Sequence, residues 1–158
     1  MTRVRIRLAT LSDTAAVDGL VQRAYAHYVD RIGRRPGPMD EDYVRKVSEG
    51  KVSVAVEADE IVGLIVLTSE PDHLLVENVA VEPAHQGEGI GRALLAFAEE
   101  VAAEGGLTTL RLYTHALMTE NLAFYPRLGY IEVDRRSDNG FERVFFSKRL
   151  SPSSPGPA

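Results

Sequence analysis

The sequence predicts an α/β protein whose sheet carries antiparallel hairpins early and a βαβ crossover in the middle. Three observations carry this. Some short stretches alternate apolar and polar residues, as half-buried strands do, while others repeat apolar residues at helical spacing. These two patterns follow one another in the order β-α-α-β-β-β-α-β-α-β-β. One helical pattern lies between two strand patterns in the centre, which is the arrangement that a parallel pair requires.

Each element follows from the residues. Val4 to Leu8 alternates and forms a first strand. From Thr10 the pattern turns helical, with Val17, Leu20, Val21, Ala24 and Tyr28 on one face, and Thr10 with Asp13 offers a capping-box start. Glycine and proline between Arg31 and Pro38 break that helix. Asp40-Glu41-Asp42 then places acidic groups at the first turn of a short second helix. Lys51 to Glu57 and Ile61 to Thr68 are β-rich runs joined by a hairpin at Ala58-Asp59-Glu60. His73 to Val81 is a further strand, and a helix begins at Ile90 and ends at Gly105-Gly106. Thr109 to Tyr113 is a strand and Glu120 to Leu128 a short helix. Tyr130 to Asp134 and Phe141 to Phe146 are strands around a turn whose Asn139-Gly140 is a strong turn signal. Residues 1–150 read as a single domain, and Ser151 to Ala158, made of Ser, Pro, Gly and Ala, reads as a disordered tail.

Bulk properties exclude several classes. Apolar residues make up 44% and charged residues 26% of the 158, as in an ordinary globular domain. No apolar run has the length of a membrane span, and the alternating arginines at the N-terminus do not read as a signal peptide. The net charge of -5 argues against a nucleic-acid binder. With no cysteine, disulfides, thiolate metal sites and a cysteine nucleophile are excluded within this chain. A cytoplasmic protein fits, and the four histidines show no metal-ligand spacing, so no metal is expected.

Glu77 to Arg92 is the most informative segment: an apolar strand, a turn at Glu82-Pro83, a loop with glycine at 87, 89 and 91, then a helix. Glycines let the backbone bend sharply and approach a ligand. The unpaired amides that open the next helix attract an anion such as a pyrophosphate. The segment lacks the lysine of a P-loop, and Arg92 stands where a dinucleotide fingerprint needs its third glycine. A glycine-rich turn without a ligand remains the alternative for these residues taken alone.

Gln86-x-x-Gly89-x-Gly91, preceded by Val79-Ala80-Val81 and followed by Arg92-Ala93-Leu94-Leu95, resembles the acetyl-CoA motif of the GCN5-related N-acetyltransferase (GNAT) superfamily. Asn121 to Tyr130 resembles the second motif of that family in compressed form, and the element order matches over nearly the whole chain. The resemblance implies a mixed, mostly antiparallel twisted sheet with helices on both faces. It also implies acetyl-CoA as acyl donor. Backbone groups of the Val79-Ala80-Val81 strand would bind the pantetheine arm, and the amides from Gln86 through Gly87, Glu88, Gly89, Ile90 and Gly91 to Arg92 would hold the pyrophosphate. Asn121 would contact the cofactor, Tyr125 would sit near its sulfur, and a homodimer is implied as the assembly.

Amine acetylation needs a neutral attacking amine and a protonated or stabilised leaving thiolate. Glu77 is the expected base, as the lone formal charge in a largely apolar strand, where burial raises a carboxyl pKa. A structural carboxylate paired to an arginine or a helix-end amide is the alternative. His73 shares its facing and is a weaker candidate; His85 flanks the loop, and His27 could line the acceptor cleft. Tyr125 is the expected acid, four residues after Asn121 and so on the same helix face. Pro126 beside it is expected to kink the helix.

For the acceptor, the segment between the first two helices supplies Tyr25, Tyr28, Arg31 and Met39, and His115 could also line the cleft. Arginines there would suit an acceptor carboxylate or phosphate, although a solvated basic loop explains them equally. The leading reading is transfer of an acetyl group to a primary amine of a small molecule, amino acid or peptide, by direct attack in a ternary complex. A non-catalytic acyl-CoA-binding regulatory module is the competing class, and a longer acyl chain or an alcohol acceptor would keep the same fold.

Overall fold

Alternation and helical spacing become regular structure almost where the sequence places them. The structure, a computed structural model, describes residues 4–151, so most of the expected tail lies outside the described residues. The strands are β1 (Arg5–Leu8), β2 (Val52–Glu57), β3 (Glu60–Ser69), β4 (Leu74–Val81), β5 (Thr109–His115), β6 (Ile131–Asp138) and β7 (Phe141–Arg149). The α-helices are α1 (Thr14–Ile32), α2 (Tyr43–Ser48), α3 (Ile90–Glu104) and α4 (Thr119–Arg127), with short 3-10 turns at Leu11–Asp13, Gly37–Asp40 and Pro83–His85. The strands form a seven-stranded sheet in the order β1-β2-β3-β4-β5-β7-β6. β4 and β5, on either side of α3 in sequence, pair in parallel; the other recorded pairings are antiparallel.

The described residues fall into two compact units. One takes in the chain up to Leu67 together with Asn78–Phe97; the other takes in Thr68–Glu77 and the chain from Ala98 onward.

In the first unit β1 pairs with β2, and β2 with β3 through the Ala58-Asp59 turn. Both turn residues have positive φ, 50° and 66°, the geometry of a tight hairpin that follows the strand twist. Val17, Leu20, Val21 and Ala24 of α1 pack with Val52, Val54, Leu64 and Val66 in one core. That row is the face the helical spacing predicts. At the entry to α1, Asp13 accepts from the Thr10 amide at 2.8 Å and from Arg7 at 2.7 Å. Hydrogen bonding from Arg7 lowers the Asp13 pKa to about 2. Asp40 and Glu41 precede α2, and Asp42 is its N-cap, accepting from the Arg45 amide at 3.1 Å.

In the second unit Leu74–Val76 of β4 pair with Leu110–Leu112 of β5, and β7 lies between β5 and β6. Asn139 and Gly140 both take positive φ at the β6–β7 turn, which is where the Asn-Gly signal puts it. Those two strands run further than alternation predicts, because β6 is an exposed sheet edge and charged residues are tolerated along it.

Candidate functional site

In the first unit, the C-terminal end of β4 leads through the Pro83–His85 turn into the glycine loop and then α3. Glu82 is fixed at the start. Its amide donates to Val62 O at 2.8 Å, and its carboxylate receives Arg23 of α1 through two bonds of 2.8 and 2.7 Å. That pairing lowers the Glu82 pKa. Gly87 and Gly89 take φ of 85° and 87°, in the left-handed region where a Cβ is costly. Gly91 lies within α3. The first turn of α3 closes with Ala93 N–H donating to Gly89 O at 3.0 Å. The N–H groups of Ile90, Gly91 and Arg92 therefore precede the first intrahelical donor, in the position that suits an anion. Gln86 through Gly89 are exposed, whereas Ile90 is buried and anchors the helix start. The Gln86 side chain reaches Val81 O at 3.5 Å, which ties the loop to the end of β4.

A residue the sequence reading missed sets the height of that helix. A Cβ on Gly63 of β3 would lie 2.8 Å from Ile90 Cγ2, 3.1 Å from Leu94 Cδ1 and 3.3 Å from Ala80 O. The absent side chain lets the first turns of α3 rest directly on the strand. An isolated glycine inside a strand pattern is the signal that points to such a close approach.

β4 alternates buried and half-buried residues along its whole length. Val79 and Val81 share the half-buried parity of Glu77, and Ala80 is buried. Asn78, also missed, is a buried polar residue. Its Oδ1 accepts from Tyr25 Oη at 2.5 Å and its Nδ2 donates to Tyr43 Oη at 3.2 Å. In the second unit, Glu77 is half-buried and accepts from Thr68 Oγ1 at 2.6 Å.

α4 holds Asn121 and Tyr125. Asn121 Nδ2 donates to Thr114 Oγ1 of β5 at 3.0 Å. Tyr125 is buried among aromatic rings, with Phe124 at 5.4 Å, Tyr130 at 5.6 Å and Phe146 at 5.8 Å between centroids. Pro126 falls in the last helical turn, where the chain is already closing, and α4 runs through it to Arg127. The Tyr130 hydroxyl is buried without a hydrogen-bond partner, and desolvation pushes its pKa up, so it stays a neutral phenol.

The five residues expected on the acceptor side have different fates. Met39 is a core residue, and Tyr28 is buried with the His27 ring 3.9 Å away, so neither presents an open face. Both are apolar enough that the α1 stripe and the turn after it bury them. The Tyr25 hydroxyl is engaged at Asn78. Arg31 is exposed with its guanidinium 5.0 Å over the Tyr28 ring. His115 is half-buried, with Nδ1 accepting from the Leu117 amide at 3.0 Å, which in the neutral ring leaves the proton on Nε2. His73 Nδ1 lies 2.7 Å from Asp72.

His85 is drawn into a group that spacing along the chain does not reveal. It, Glu57 and Glu88 bring donor atoms within 4.8 Å of one another. The Glu88 hydrogen bond, with the charges of Glu88, Glu57 and Glu60, raises the His85 pKa.

Comparison with known proteins agrees with this architecture. The Acetyltransferase (GNAT) family matches residues 18–130. The uncharacterized N-acetyltransferase YjgM of Escherichia coli is 30% identical over 138 residues, covering 82% of this chain and 83% of its own length. A mycothiol acetyltransferase of Jonesia denitrificans is 35% identical over 86 residues, 53% of this chain, but the match spans only 27% of that relative. Among solved structures, the PaiA N-acetyltransferase of Thermoplasma acidophilum, in complex with coenzyme A, superposes with a TM-score of 0.76 at 18% identity. It covers 94% of this chain and 100% of its own. That likeness speaks for the fold, and the family match over most of the chain for membership. The chain belongs to the acetyltransferase (GNAT) family.

Proposed function

We propose that this enzyme transfers the acetyl group of acetyl-CoA to a primary amine of a small molecule, amino acid or peptide, by direct attack in a ternary complex. One observation carries the donor half of the reading. The exposed Gln86–Gly89 loop, with Gly87 and Gly89 in left-handed conformation, delivers the chain into α3 with its first-turn amides facing the place an anion would occupy. The pyrophosphate of CoA sits there, and the PaiA relative in its CoA complex supports the choice of ligand. The peptide groups of Val79, Ala80 and Val81 bind the pantetheine arm, and Asn121, oriented by Thr114, contacts the cofactor.

The amine nitrogen attacks the acetyl carbonyl carbon, the carbon–sulfur bond breaks, and CoA leaves as thiolate. Glu77 takes the proton that the ammonium must lose, directly or through water. Thr68 holds one of its oxygens and so fixes the direction of the carboxylate. Tyr125, its ring held by three aromatic neighbours, gives the leaving sulfur its proton. On the acceptor side, Arg31 and His115 are the side chains that stay accessible and suit an acceptor bearing a carboxylate.

The reading is tested by measuring thiol release from acetyl-CoA over a panel of amines, amino acids and peptides, beside CoA binding by calorimetry. Thiol release that depends on the amine, with an acetylated product by mass, supports it. Tight CoA binding without release over the whole panel would replace it with a non-catalytic binding module.

A further inference from the structure

We infer that Tyr25 and Asn78 are positioning residues for the donor-binding end of β4, acting through a hydrogen-bonded chain that fixes the Val79 peptide. The inference rests on the proposed role of that strand in binding acetyl-CoA. The members of the hydrogen-bonded chain lie in one compact unit. Tyr25 Oη donates to Asn78 Oδ1 at 2.5 Å and lies 3.4 Å from the Val79 carbonyl oxygen. Asn78 Nδ2 donates to Tyr43 Oη at 3.2 Å, and Tyr43 Oη donates to Pro38 O at 2.6 Å.

Chemistry explains why the arrangement is specific. Asn78 is 7% and Tyr43 3% exposed, and the other buried positions of β4 are Leu74, Val76 and Ala80. An apolar residue would satisfy such a face at no cost, whereas a buried amide is tolerated only with its partners in place. A slip of β4 by one residue would turn Asn78 to the opposite face and strand both its bonds. The pair therefore locks the register and the height of the peptide immediately before Val79. α1 supplies the Tyr25 end of the lock, and the segment from Pro38 to Tyr43 supplies the other. The phenols at 25 and 43 are thereby committed to the scaffold.

The test uses variants that keep the rings or the volume. Tyr25→Phe should raise the calorimetric Kd for CoA about three- to tenfold, the effect of losing one hydrogen bond, with the KM for acetyl-CoA rising by the same factor. The double variant Tyr25→Phe with Asn78→Leu removes both groups of the Tyr25–Asn78 bond and leaves Tyr43 its bond to Pro38 O, so its thermal midpoint should recover towards wild type while the CoA affinity stays low. A Kd for Tyr25→Phe within twofold of wild type would overturn the inference. So would a double variant that regains affinity together with stability, since that is the behaviour of a purely structural contact. If wild-type protein itself binds no CoA, the donor-site reading falls first, and that failure is visible before any variant is made.

Discussion

Tyr125 and Tyr130 stack edge to face, 5.6 Å apart, because the end of α4 brings them together. Gly129, at φ 94°, closes the helix: Tyr130 N–H donates to Tyr125 O and Gly129 N–H to Pro126 O. This is the Schellman pattern, in which the residue after the left-handed glycine packs against the last turn. The motif that places Tyr125 in the sequence thus also supplies the ring that holds it.

Tyr125→Phe keeps those ring contacts and deletes only the hydroxyl. Turnover of acetyl-CoA should fall about a hundredfold, the scale of a lost general acid, with the thermal midpoint and CoA affinity nearly unchanged. Steady-state thiol release beside a melting curve checks this, and unaltered turnover would remove Tyr125 from the chemistry.

Glu77→Gln retains an oxygen able to accept from Thr68 but cannot take a proton. A loss of about a hundredfold in kcat is expected, with the acetyl-CoA KM little changed. Thr68→Val should cause a smaller fall, about tenfold, by releasing the carboxylate from its orientation. The ranking of the two variants under one assay is the measurement.

Gly89→Ala puts a Cβ on a residue at φ 87° with nothing within 4 Å to obstruct it. Backbone strain alone is therefore at issue, about 1–2 kcal/mol. Chemical denaturation should show that loss, and calorimetry should show weaker CoA binding as the loop relaxes away from its conformation. Affinity equal to wild type would mean that the loop geometry does not serve the ligand.

The Arg7–Asp13 pair predicts an acid limb in stability. The Asp13 carboxyl is held down at about 2 from 3.8, so the stabilisation is complete above the unfolded value and disappears as pH falls through the folded one. Solvent screening of this part-exposed pair holds its size to about 1 kcal/mol. Denaturation at stepped pH between about 4 and about 2 should show the loss in wild type and a flatter limb in Asp13→Asn.

Element types and order were legible because periodicity reports which face is buried, and burial drives these elements. Turns were legible wherever positive φ selects the residue, as at Asn139-Gly140. Ala58-Asp59 reaches the same geometry without glycine, and there the flanking strands gave the hairpin away. What stayed hidden depends on distant partners. Asn78 reads as a stray polar residue until Tyr25 and Tyr43 arrive beside it. Met39 reads as part of an acceptor wall because a sequence does not say which side of a loop the core takes, whereas the helical spacing already puts Tyr28 on the apolar face of α1. His85 stands alone until folding brings Glu57 to it.

The bare patch at Gly63 gives the enzyme an unexpected point of vulnerability. At Gly87 and Gly89 of the exposed loop an added Cβ would meet nothing within 4 Å. One added methyl at position 63 would instead press on Ile90, Leu94 and the Ala80 carbonyl, so the first turns of the helix or the strand beneath them would have to give way. The placement of the proposed donor site thus depends on the floor under the helix, and a substitution at Gly63 should disturb it from a position outside the exposed loop.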